Sequence, residues 1–594
     1  MKQSACGLDC YDGCSMVYEN SNISGDKFHP ITKGSLCANI NVNINKAPRI
    51  TTPLINGKPV SINEALAYAA SVINDKTLLW RGSGSVGVMQ EITNLLIDKA
   101  SGYLTKGSLC DGAGDAGIID GRGINLTLPP EQIEKSEVVV VWGRDIAVTN
   151  RHILPFIEGK KLIVIDPVKT KIAKKADLHV QLAPRSDFYL AVLLARFVFI
   201  EEIYDKKWLE KNASEYEEYH DFVRTFRIKA LLALIDTNLD TIGEMLFLLK
   251  DKKVVFLVGA GVQRYSIGGQ VLRAIDSLAA LLGLFGKDGC GVSYLGDSKL
   301  GFDNPFNVNA KKVSKVDTPF EQFESVIIQG GNPCESMPNT NEVTSRLQKV
   351  KNIIYFGLYE NETSRLAHVV IPAKNFFEKD DVRLSYGHSY VSQINKIKEC
   401  DFGISEYEFV KSIFDINKYD GLEKEEYYID YWLKQCDIKE GVLVSKACQK
   451  LPYSNGFGKD GGDEFVFLDD YDDDFIEQKK LRRPRGYQGL SCDDGSFWLV
   501  NSKSNDSINT QFEIDDRVWV HPDLNYCDNE EILVSSEYGE ITLMVKNSTD
   551  IRIDCVKITA NTIGINRLTP SIISNQGHSA CFGEVKVRLS KLVL

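Results

Sequence analysis

The chain has 594 residues, of which 43% are hydrophobic and 25% charged, and its formal net charge is −12. Because a domain typically takes roughly 150 residues, the length predicts about three to five domains with sizeable cores. The composition is typical of globular proteins and excludes disordered, collagen-like and low-complexity chains. The acidic balance disfavours nucleic acid as the main partner, since a surface that follows phosphates needs positive charge.

The first residues contain neither a twin arginine nor an apolar core of the length found in signal peptides. No run of about 18 apolar residues occurs, and the longest candidate, residues 188–200, is interrupted by Arg196 as in a buried helix. We therefore expect a cytoplasmic protein without a membrane span. Its 14 cysteines should then be thiols or metal ligands rather than disulfides.

Four of the cysteines lie close to the N-terminus in the pattern C-x3-C-x3-C-x22-C: Cys6, Cys10, Cys14 and Cys37. Thiolates at such spacings can meet at one centre, and the surrounding segment has few apolar residues to stabilise it otherwise. Zinc sites usually pair their cysteines in short knuckles, whereas three evenly spaced cysteines and one distant one suit the corners of a cubane. The spacing favours a [4Fe-4S] cluster, with a structural zinc site as the alternative.

From residue 53 onward, continuous β-branched runs alternate with helical patterns. The runs predict buried strands at residues 77–80, 137–142, 161–165, 254–258, 325–329 and 352–356. Helices are predicted at residues 86–99, 187–200 and 269–284. Strands that are apolar on both faces are typical of parallel sheets covered by helices. The sequence therefore predicts a doubly wound α/β architecture.

The last third of the chain has a different texture. Residues 401–485 are more polar, and an acidic run is followed by a basic run: Asp469, Asp470, Asp472, Asp473 and Asp474, then Lys479, Lys480, Arg482, Arg483 and Arg485. This pattern predicts a solvated linker. Short alternating strands are predicted at residues 518–521, 532–536, 541–545, 556–559 and 585–589. They indicate a C-terminal β-barrel or sandwich-like domain of about 110 residues.

Four small turns follow directly after predicted strands: Gly143-Arg144-Asp145, Asp166-Pro167, Gly259-Ala260-Gly261 and Gly330-Gly331-Asn332-Pro333. Open α/β sheets bind ligands at the carboxyl ends of their strands. Glycines let backbone N–H groups approach phosphates, and a carboxylate such as Asp166 can accept hydrogen bonds from ribose or guanine. One such turn would be explained by backbone geometry alone. Four together predict a long, nucleotide-like ligand.

The order of these motifs resembles the molybdopterin oxidoreductases of the dimethyl sulfoxide reductase superfamily, which carry molybdenum or tungsten on two pterin guanine dinucleotides. Trp142-Gly143-Arg144-Asp145 is similar to the family's W-G-x-N turn, and Val164-Ile165-Asp166-Pro167 to its V-I-D-P-R-x-T motif. The resemblance covers nearly the whole chain. It implies a bis-molybdopterin guanine dinucleotide bound by Trp142, Gly143, Arg144, Asp166, Asp187, Gly259, Gly261, Asn332, Ser502, Lys503 and Asn566.

The resemblance also implies a division into domains. We expect a 4Fe-4S cluster domain at residues 1–52, and an α/β domain formed by residues 53–130 with about 320–400 that carries the metal-ligand loop. Residues 131–319 should form a Rossmann-like pterin-dinucleotide-binding domain. The polar linker region at residues 401–485 would then lead to a C-terminal β-barrel pterin-dinucleotide-binding domain at residues 486–594.

In the family, the protein ligand of the metal lies on a loop that corresponds to Gly107-Ser108-Leu109-Cys110-Asp111-Gly112. The resemblance therefore implies Cys110 as the ligand, because a thiolate suits a metal already held by dithiolene sulfurs. Ser108 and Asp111 are rival ligands, and Asp111 is a candidate catalytic proton carrier. Without the resemblance, Cys110 would be interpreted as an ordinary cysteine.

Three departures from the family's pattern bear on function. The family usually has a lysine two residues after the fourth cysteine, where this chain has Asn39, so we expect electron transfer between cluster and pterin either to be impaired or to run at a different potential. Asp145 replaces an asparagine of the pterin turn. Asp111 stands where formate-oxidising members usually have a histidine, and its charge would repel formate.

These features predict a cytoplasmic molybdenum or tungsten enzyme with one [4Fe-4S] cluster that oxidises or reduces a small-molecule substrate by two electrons. A partner subunit or small redox protein should exchange electrons with the cluster, because the chain has no further cysteine quartet and no flavin fingerprint. Two alternatives stay open. One is a non-catalytic electron-transfer subunit of the same fold, and the other is a non-redox hydratase of the family.

Overall fold

The computed structural model describes residues 1–44, 47–468, 495–505, 507–512 and 514–592. Within them, two parallel sheets covered by helices form the centre of the molecule, and a closed barrel follows at the C-terminal end. The predicted α/β class is confirmed. The acidic and basic runs at residues 469–485 lie outside the described residues. No described helix is both long enough and apolar enough to cross a membrane.

The first parallel sheet has five strands, in the order Leu178–Val180, Lys161–Ile165, Val138–Trp142, Val254–Val258 and Gly291–Ser293. Its two central strands are buried at every position, as their β-branched runs predict. The helices Asp187–Ile200 and Gly268–Leu281 pack on one face. The other face is covered by the segment Arg151–Ile157 and by Ile31 from the N-terminal region.

The second parallel sheet has eight strands, of which six are parallel and two form an antiparallel edge hairpin. Their order is Lys311–Ser314, Tyr103–Lys106, Thr77–Arg81, Ser325–Gln329, Asn352–Gly357, Val369–Pro372, Leu54–Ile55 and Lys58–Pro59. The helix Thr340–Leu347 covers one face. The other face packs against Ile62–Val72 and Thr93–Lys99. The predicted helix at residues 86–99 is a short 3-10 turn, Val88–Ile92, that continues into Thr93–Lys99.

The expected solvated linker is wrong for the first part of residues 401–485. The helices Glu406–Asn417 and Glu425–Leu433 pack on the eight-stranded sheet, where Phe409, Val410 and Trp432 are completely buried. Each helix has one apolar stripe and a polar outer face, so its average composition is polar although the helix belongs to the core. The remaining described part contains the strands Cys436–Lys439, Val442–Ser445 and Phe465–Val466.

The barrel is closed by six strands, in the order Ser496–Ser502, Cys555–Thr559, Arg517–Val520, Glu540–Asn547, Glu531–Ser535 and Lys586–Lys591. Alternate residues point inward to a separate core that includes Val518, Val534, Val545 and Ile558. The alternating pattern predicted five of these six strands to within about two residues and missed Ser496–Ser502. A short hairpin, Ser507–Ile508 with Gln511–Phe512, extends from the barrel.

The N-terminal segment forms a three-stranded antiparallel sheet of Lys2–Ala5, Ser15–Glu19 and Asn22–Gly25. It packs beside a four-stranded antiparallel sheet that contains Asp381–Arg383 and Tyr390–Ile394. The further helices of the described residues are Gly112–Arg122, Pro130–Glu134, Ile146–Thr149, Lys206–Asn212, Tyr216–Arg224, Ile228–Ile235, Leu239–Leu249, Pro333–Ser336 and Glu362–Arg365.

The helix Gly112–Arg122 starts directly after Cys110 and Asp111 and crosses Gly268–Leu281 at very short range. A Cβ atom on Gly117 would lie 2.0 Å from the carbonyl oxygen of Gly269, so only glycine allows this approach. Near its end, Arg122 Nε donates to Asp276 Oδ2 at 2.7 Å in a fully buried pair. These contacts fix the direction in which the helix, and the loop before it, enter the centre.

We expect Gly117→Ala to destabilise the protein by about 1–3 kcal/mol or more, because the added methyl group collides with backbone that cannot move aside. The free energy of unfolding from denaturant titration measures the loss. Gly243→Ala is the matched control, since Gly243 lies in the exposed part of Leu239–Leu249 with nothing within 4 Å of its Cβ position. That change should stabilise the protein by about 0.5–1 kcal/mol. Equal effects of the two changes would contradict the close approach of the two helices at Gly117.

Candidate functional site

The carboxyl ends of both parallel sheets open onto one cavity of about 1550 Å³. This exceeds the roughly 300–1,000 Å³ of pockets for drug-sized ligands and suits a much larger molecule. The N-terminal segment and the barrel complete its walls. The sequence-predicted site residues that line it are Cys6, Cys10, Cys14, Cys37, Cys110, Asp111, Gly143, Arg144, Asp166, Asp187, Gly259, Gly261, Asn332, Ser502, Lys503 and Asn566.

Trp142 is the one predicted contact residue that does not line the cavity. It is completely buried behind the wall, and its Nε1 donates to Asp187 Oδ1 at 2.7 Å. Its position as the last residue of the strand Val138–Trp142 turns the ring into the sheet's core rather than toward a ligand. Trp142 therefore positions the Asp187 carboxylate, which does face the cavity.

Two carboxylates stand at the end of the five-stranded sheet. Asp166 Oδ1 accepts from the backbone N–H of Val168 at 2.9 Å. Burial, together with the nearby Asp145 and Asp187, raises the pKa of Asp166 to about 7. Burial also raises the pKa of Asp187 to about 6. Enclosed acids of this kind are stabilised by a ligand that donates hydrogen bonds to them.

The neighbouring turns approach too closely for side chains. A Cβ atom on Gly259 or Gly261 would lie 2.3 or 2.6 Å from the carbonyl oxygen of Gly143. Gly143 itself has a φ of 59°, in the left-handed region that favours glycine. The result is a stretch of bare backbone at the cavity wall, the type of surface that phosphate groups can approach.

At the end of the eight-stranded sheet, Asn332 and Asn566 face the cavity but are engaged with protein groups. Asn332 Nδ2 donates to Glu362 Oε2 at 2.9 Å, and its Oδ1 accepts from Thr363 Oγ1 at 2.7 Å. Asn566 Nδ2 donates to the carbonyl oxygen of Glu335 at 2.6 Å. Both amides therefore hold loops of the wall in place.

The barrel contributes polar atoms that lack partners. Among the described residues, Asn501 Oδ1 and Ser502 Oγ are buried without a hydrogen bond, and both residues line the cavity. A buried polar group without a partner costs about 1–3 kcal/mol, so these atoms indicate a ligand that supplies one. Lys503 Nζ donates to Asn509 Oδ1 at 2.9 Å.

The loop that carries Cys110 is held from both sides. Ser108 N donates to the carbonyl oxygen of His578 and Ala580 N to that of Ser108, both at 3.0 Å. The Ser108 hydroxyl donates to Asp111 Oδ1 at 2.7 Å and accepts from Cys110 N at 2.9 Å. Ser108 is thus used within the loop, whereas the Cys110 side chain is exposed to the cavity.

Charged groups that sequence reasoning missed surround Cys110. Enclosure by protein raises the pKa of the Cys110 thiol to about 12, with Asp111 and Asp9 adding and Arg264 opposing. Desolvation and Arg81 lower the pKa of Lys315 to about 8. The one sequence feature that could have indicated any of these charges is the position of Asp9 directly before Cys10. Lys315 and Arg264 come from distant segments whose convergence depends on the tertiary fold.

The four N-terminal cysteines face the same cavity. Burial raises the pKa of Cys6, Cys10 and Cys14, and each is raised further by its neighbours in the quartet, which shows that the four lie close together. No group of three or more His, Cys, Asp or Glu side chains in the described residues is arranged around a single metal ion. A cubane differs from such a site, because each cysteine binds a different iron atom.

Side chains from residues 383–388 hold the backbone of this segment. Arg383 donates to the carbonyl oxygens of Cys6 and Cys10, at 3.1 and 2.7 Å. Ser385 Oγ donates to the carbonyl oxygen of Tyr11 at 3.1 Å, and His388 Nε2 lies 2.9 Å from that of Asp12. We call these three side chains the segment clamp.

Residues that follow a strand of the five-stranded sheet also contact the N-terminal cysteine segment. The Arg144 guanidinium stacks on the Tyr11 ring at 4.1 Å, and Asp12 Oδ2 lies 2.7 Å from His152 Nδ1. Arg144 is buried and also donates to Asn150 Oδ1 at 3.1 Å. It therefore connects the cysteine segment with the turn that follows the strand Val138–Trp142.

Residues 49–401 match the family model described as molybdopterin oxidoreductase. The chain belongs to the molybdopterin oxidoreductase family. The resemblance found in the sequence is thereby confirmed.

Individual relatives of this molybdopterin oxidoreductase are distant. It is 26% identical over 444 residues to the probable oxidoreductase YyaE of Bacillus subtilis, which covers 67% of this chain and 66% of that protein. It is 24% identical over 445 residues to formate dehydrogenase H of Escherichia coli, covering 63% and 62%. Acetylene hydratase from Pelobacter acetylenicus has the same fold, with a TM-score of 0.77 over 100% of both chains at 15% identity.

The acids of the cavity predict a pH dependence. The pKa of Asp166 is about 7 in the folded chain and has an ordinary value of 3.8, so its ionisation opposes folding as the pH rises. Asp166→Asn should therefore stabilise the ligand-free protein above pH 7 by on the order of 1–2 kcal/mol. The gain should fade as the pH falls toward 4. Free energies of unfolding between pH 4 and 8 measure it.

Asp177→Asn is the control with the opposite sign. Lys161 Nζ and the backbone N–H of Leu162 donate to the Asp177 carboxylate and lower its pKa. Its replacement should destabilise the protein above about pH 4, and the loss should shrink at lower pH. The same pH profile for both variants would contradict the raised pKa of Asp166.

Proposed function

We propose that this chain is a catalytic molybdopterin oxidoreductase that holds molybdenum or tungsten on two pterin guanine dinucleotides, beside one [4Fe-4S] cluster. The observation that carries the proposal is the meeting of three features in one cavity. The carboxyl ends of two parallel sheets supply two binding crevices, Cys110 faces the space between them, and the cysteine quartet lies at its side. The dinucleotides would bind at the two sheet ends.

The residues of the first crevice suit a guanine dinucleotide. Asp166 and Asp187 offer acceptors for hydrogen-bond donors, and the bare backbone at Gly259 and Gly261 leaves room for a pyrophosphate. The unpartnered Asn501 and Ser502 on the barrel offer further contacts. Asp145, in place of the family's asparagine, interacts electrostatically with Lys171 and Lys557, which offset part of the effect of its burial.

The bound metal would exchange two electrons with a small substrate. Cys110 would supply a thiolate ligand, because its side chain is open to the cavity while Ser108 is engaged within the loop. Asp111 is less suited than Cys110 as a ligand, since its carboxylate accepts from Ser108. Its proximity to Cys110 supports a role as proton carrier. Arg264, Lys315 and Lys503 would hold anionic groups near Cys110.

The cysteine quartet supports exchange of electrons with a partner protein. One relative, 22% identical over 439 residues, is named as the alpha subunit of an F420-dependent formate dehydrogenase in Methanocaldococcus jannaschii. A partner subunit or small redox protein is therefore part of the proposal. The non-catalytic alternative is disfavoured by the open Cys110 thiol, which a bare electron conduit does not need.

Protein purified without oxygen should contain about four iron and four sulfide per chain. It should also release about two pterin guanine dinucleotides for each molybdenum or tungsten atom, as the two crevices require. Elemental analysis and chromatography of the released pterin measure both. One zinc without sulfide would sink the cluster assignment. Folded protein with a cluster but neither pterin nor metal would favour the electron-transfer subunit.

Cys110→Ala should reduce turnover at least about 100-fold while iron content and pterin content stay unchanged, because the change removes only a metal ligand. Metal-edge X-ray absorption should show one metal–sulfur bond fewer than in the wild type. Cys527→Ala is the matched control, since Cys527 is also exposed but lies in the barrel domain and does not line the cavity. An unchanged number of metal–sulfur bonds in Cys110→Ala would transfer the ligand role to Ser108 or Asp111.

A further inference from the structure

Arg383 is a buried cation without an anionic protein partner among the described residues. Its side chain is 2% exposed, and its guanidinium donates to three backbone carbonyl oxygens, those of Cys6, Cys10 and Leu384. Carbonyl oxygens satisfy the donors but do not neutralise the charge. A buried charge is unfavourable unless an opposite charge lies nearby.

Arg122 is a second buried cation of this chain, and its charge is compensated. Arg122 is also almost completely buried, and it forms an ion pair with the equally buried Asp276. Arg383 lacks any such pair within the described part of the chain. A negatively charged group that the protein acquires when its cofactors are bound would supply the missing countercharge.

The hydrogen bonds of Arg383 point to that group. They end on the carbonyl oxygens of two of the four quartet cysteines, so the guanidinium lies beside the place where their thiolates gather. Four thiolates around a cubane carry a net negative charge that this cation would balance.

The sequence shows why this charge matters. The family that the chain resembles has a lysine two residues after the fourth cysteine, and this chain has the uncharged Asn39 there. Asn39 is buried at the cavity wall. Arg383 lies on the strand Asp381–Arg383, more than 300 residues after Asn39 in the sequence, yet it contacts the N-terminal cysteine segment.

We propose that Arg383 supplies a fixed positive charge next to the iron–sulfur cluster and raises the reduction potential of the cluster. In this role it would take the place of the family's lysine, whose position is occupied here by Asn39. The inference rests on the cluster proposed above. Reduction adds one electron to the cluster and breaks no bond, so it adds one negative charge beside Arg383. A cation stabilises the reduced form more than the oxidised form, and the potential rises. Arg383 is thus a positioning and electrostatic residue rather than a catalytic one.

The test is a potentiometric titration of the cluster in the purified holoprotein, followed by electron paramagnetic resonance. Arg383→Met should shift the one-electron equilibrium toward the oxidised form at least about tenfold, which is about 59 mV to lower potential. Arg383→Lys keeps the charge and should shift it much less. Adding Asn39→Lys to Arg383→Met should restore part of the lost potential. Arg224→Met, at an exposed cation on Tyr216–Arg224, is the matched control and should leave the potential unchanged.

The iron and sulfide content of the protein distinguishes a failure of the proposed function from a failure of the proposed role of Arg383. A wild type without a cluster overturns the proposed function and this inference together. A cluster-loaded Arg383→Met with the wild-type potential overturns only the role of Arg383. Where Arg383→Met does not retain iron, the comparison is made between Asn39→Lys alone and Asn39→Lys with Arg383→Gln, in which the second cation supports the cluster. Equal potentials in that pair would likewise overturn the role of Arg383.

Discussion

All strands of a parallel sheet end at the same edge, and the rest of this structure depends on that constraint. The five-stranded and eight-stranded sheets direct their carboxyl edges at one cavity. Loops far apart in the chain are therefore neighbours there. The turn at Gly143 and the turn at Gly330 belong to different sheets, yet both form walls of the same space.

Close backbone contacts fix the positions of the loops around the cavity. Gly117 lies against Gly269 where two helices cross, and Gly107 lies against His578 where the Cys110 loop meets the C-terminal segment. Each contact would be lost with any side chain at the glycine. The loop that presents Cys110 is therefore fixed at both ends by backbone, and the thiol needs no hydrogen bond of its own to hold its place.

Sequence patterns were sufficient where the local signal and the tertiary environment agree. The β-branched run Val138–Trp142 is buried in every position, as its composition requires. The same reasoning failed for Glu406–Asn417, because an amphipathic helix has a polar average and hides its core residues in a stripe. Trp142 was placed on the correct strand end but facing the wrong way. No local pattern could show that its indole supports Asp187.

The charged residues of the site were the hardest part of the site to predict from the sequence. Asp9, Lys315 and Arg383 belong to three separate segments, and none stands in a motif that predicts its neighbours. Their effects follow from burial, because charges enclosed by protein interact over longer distances than charges in water. A site that gathers four thiols and several carboxylates in one enclosed space needs compensating cations nearby. The structure supplies them from different sheets: Lys315 follows a strand of the eight-stranded sheet, Arg264 follows a strand of the five-stranded sheet, and Arg383 lies on the four-stranded antiparallel sheet. The cysteine segment is therefore held by arginines from two sheets, Arg383 and Arg144, as well as by apolar contacts.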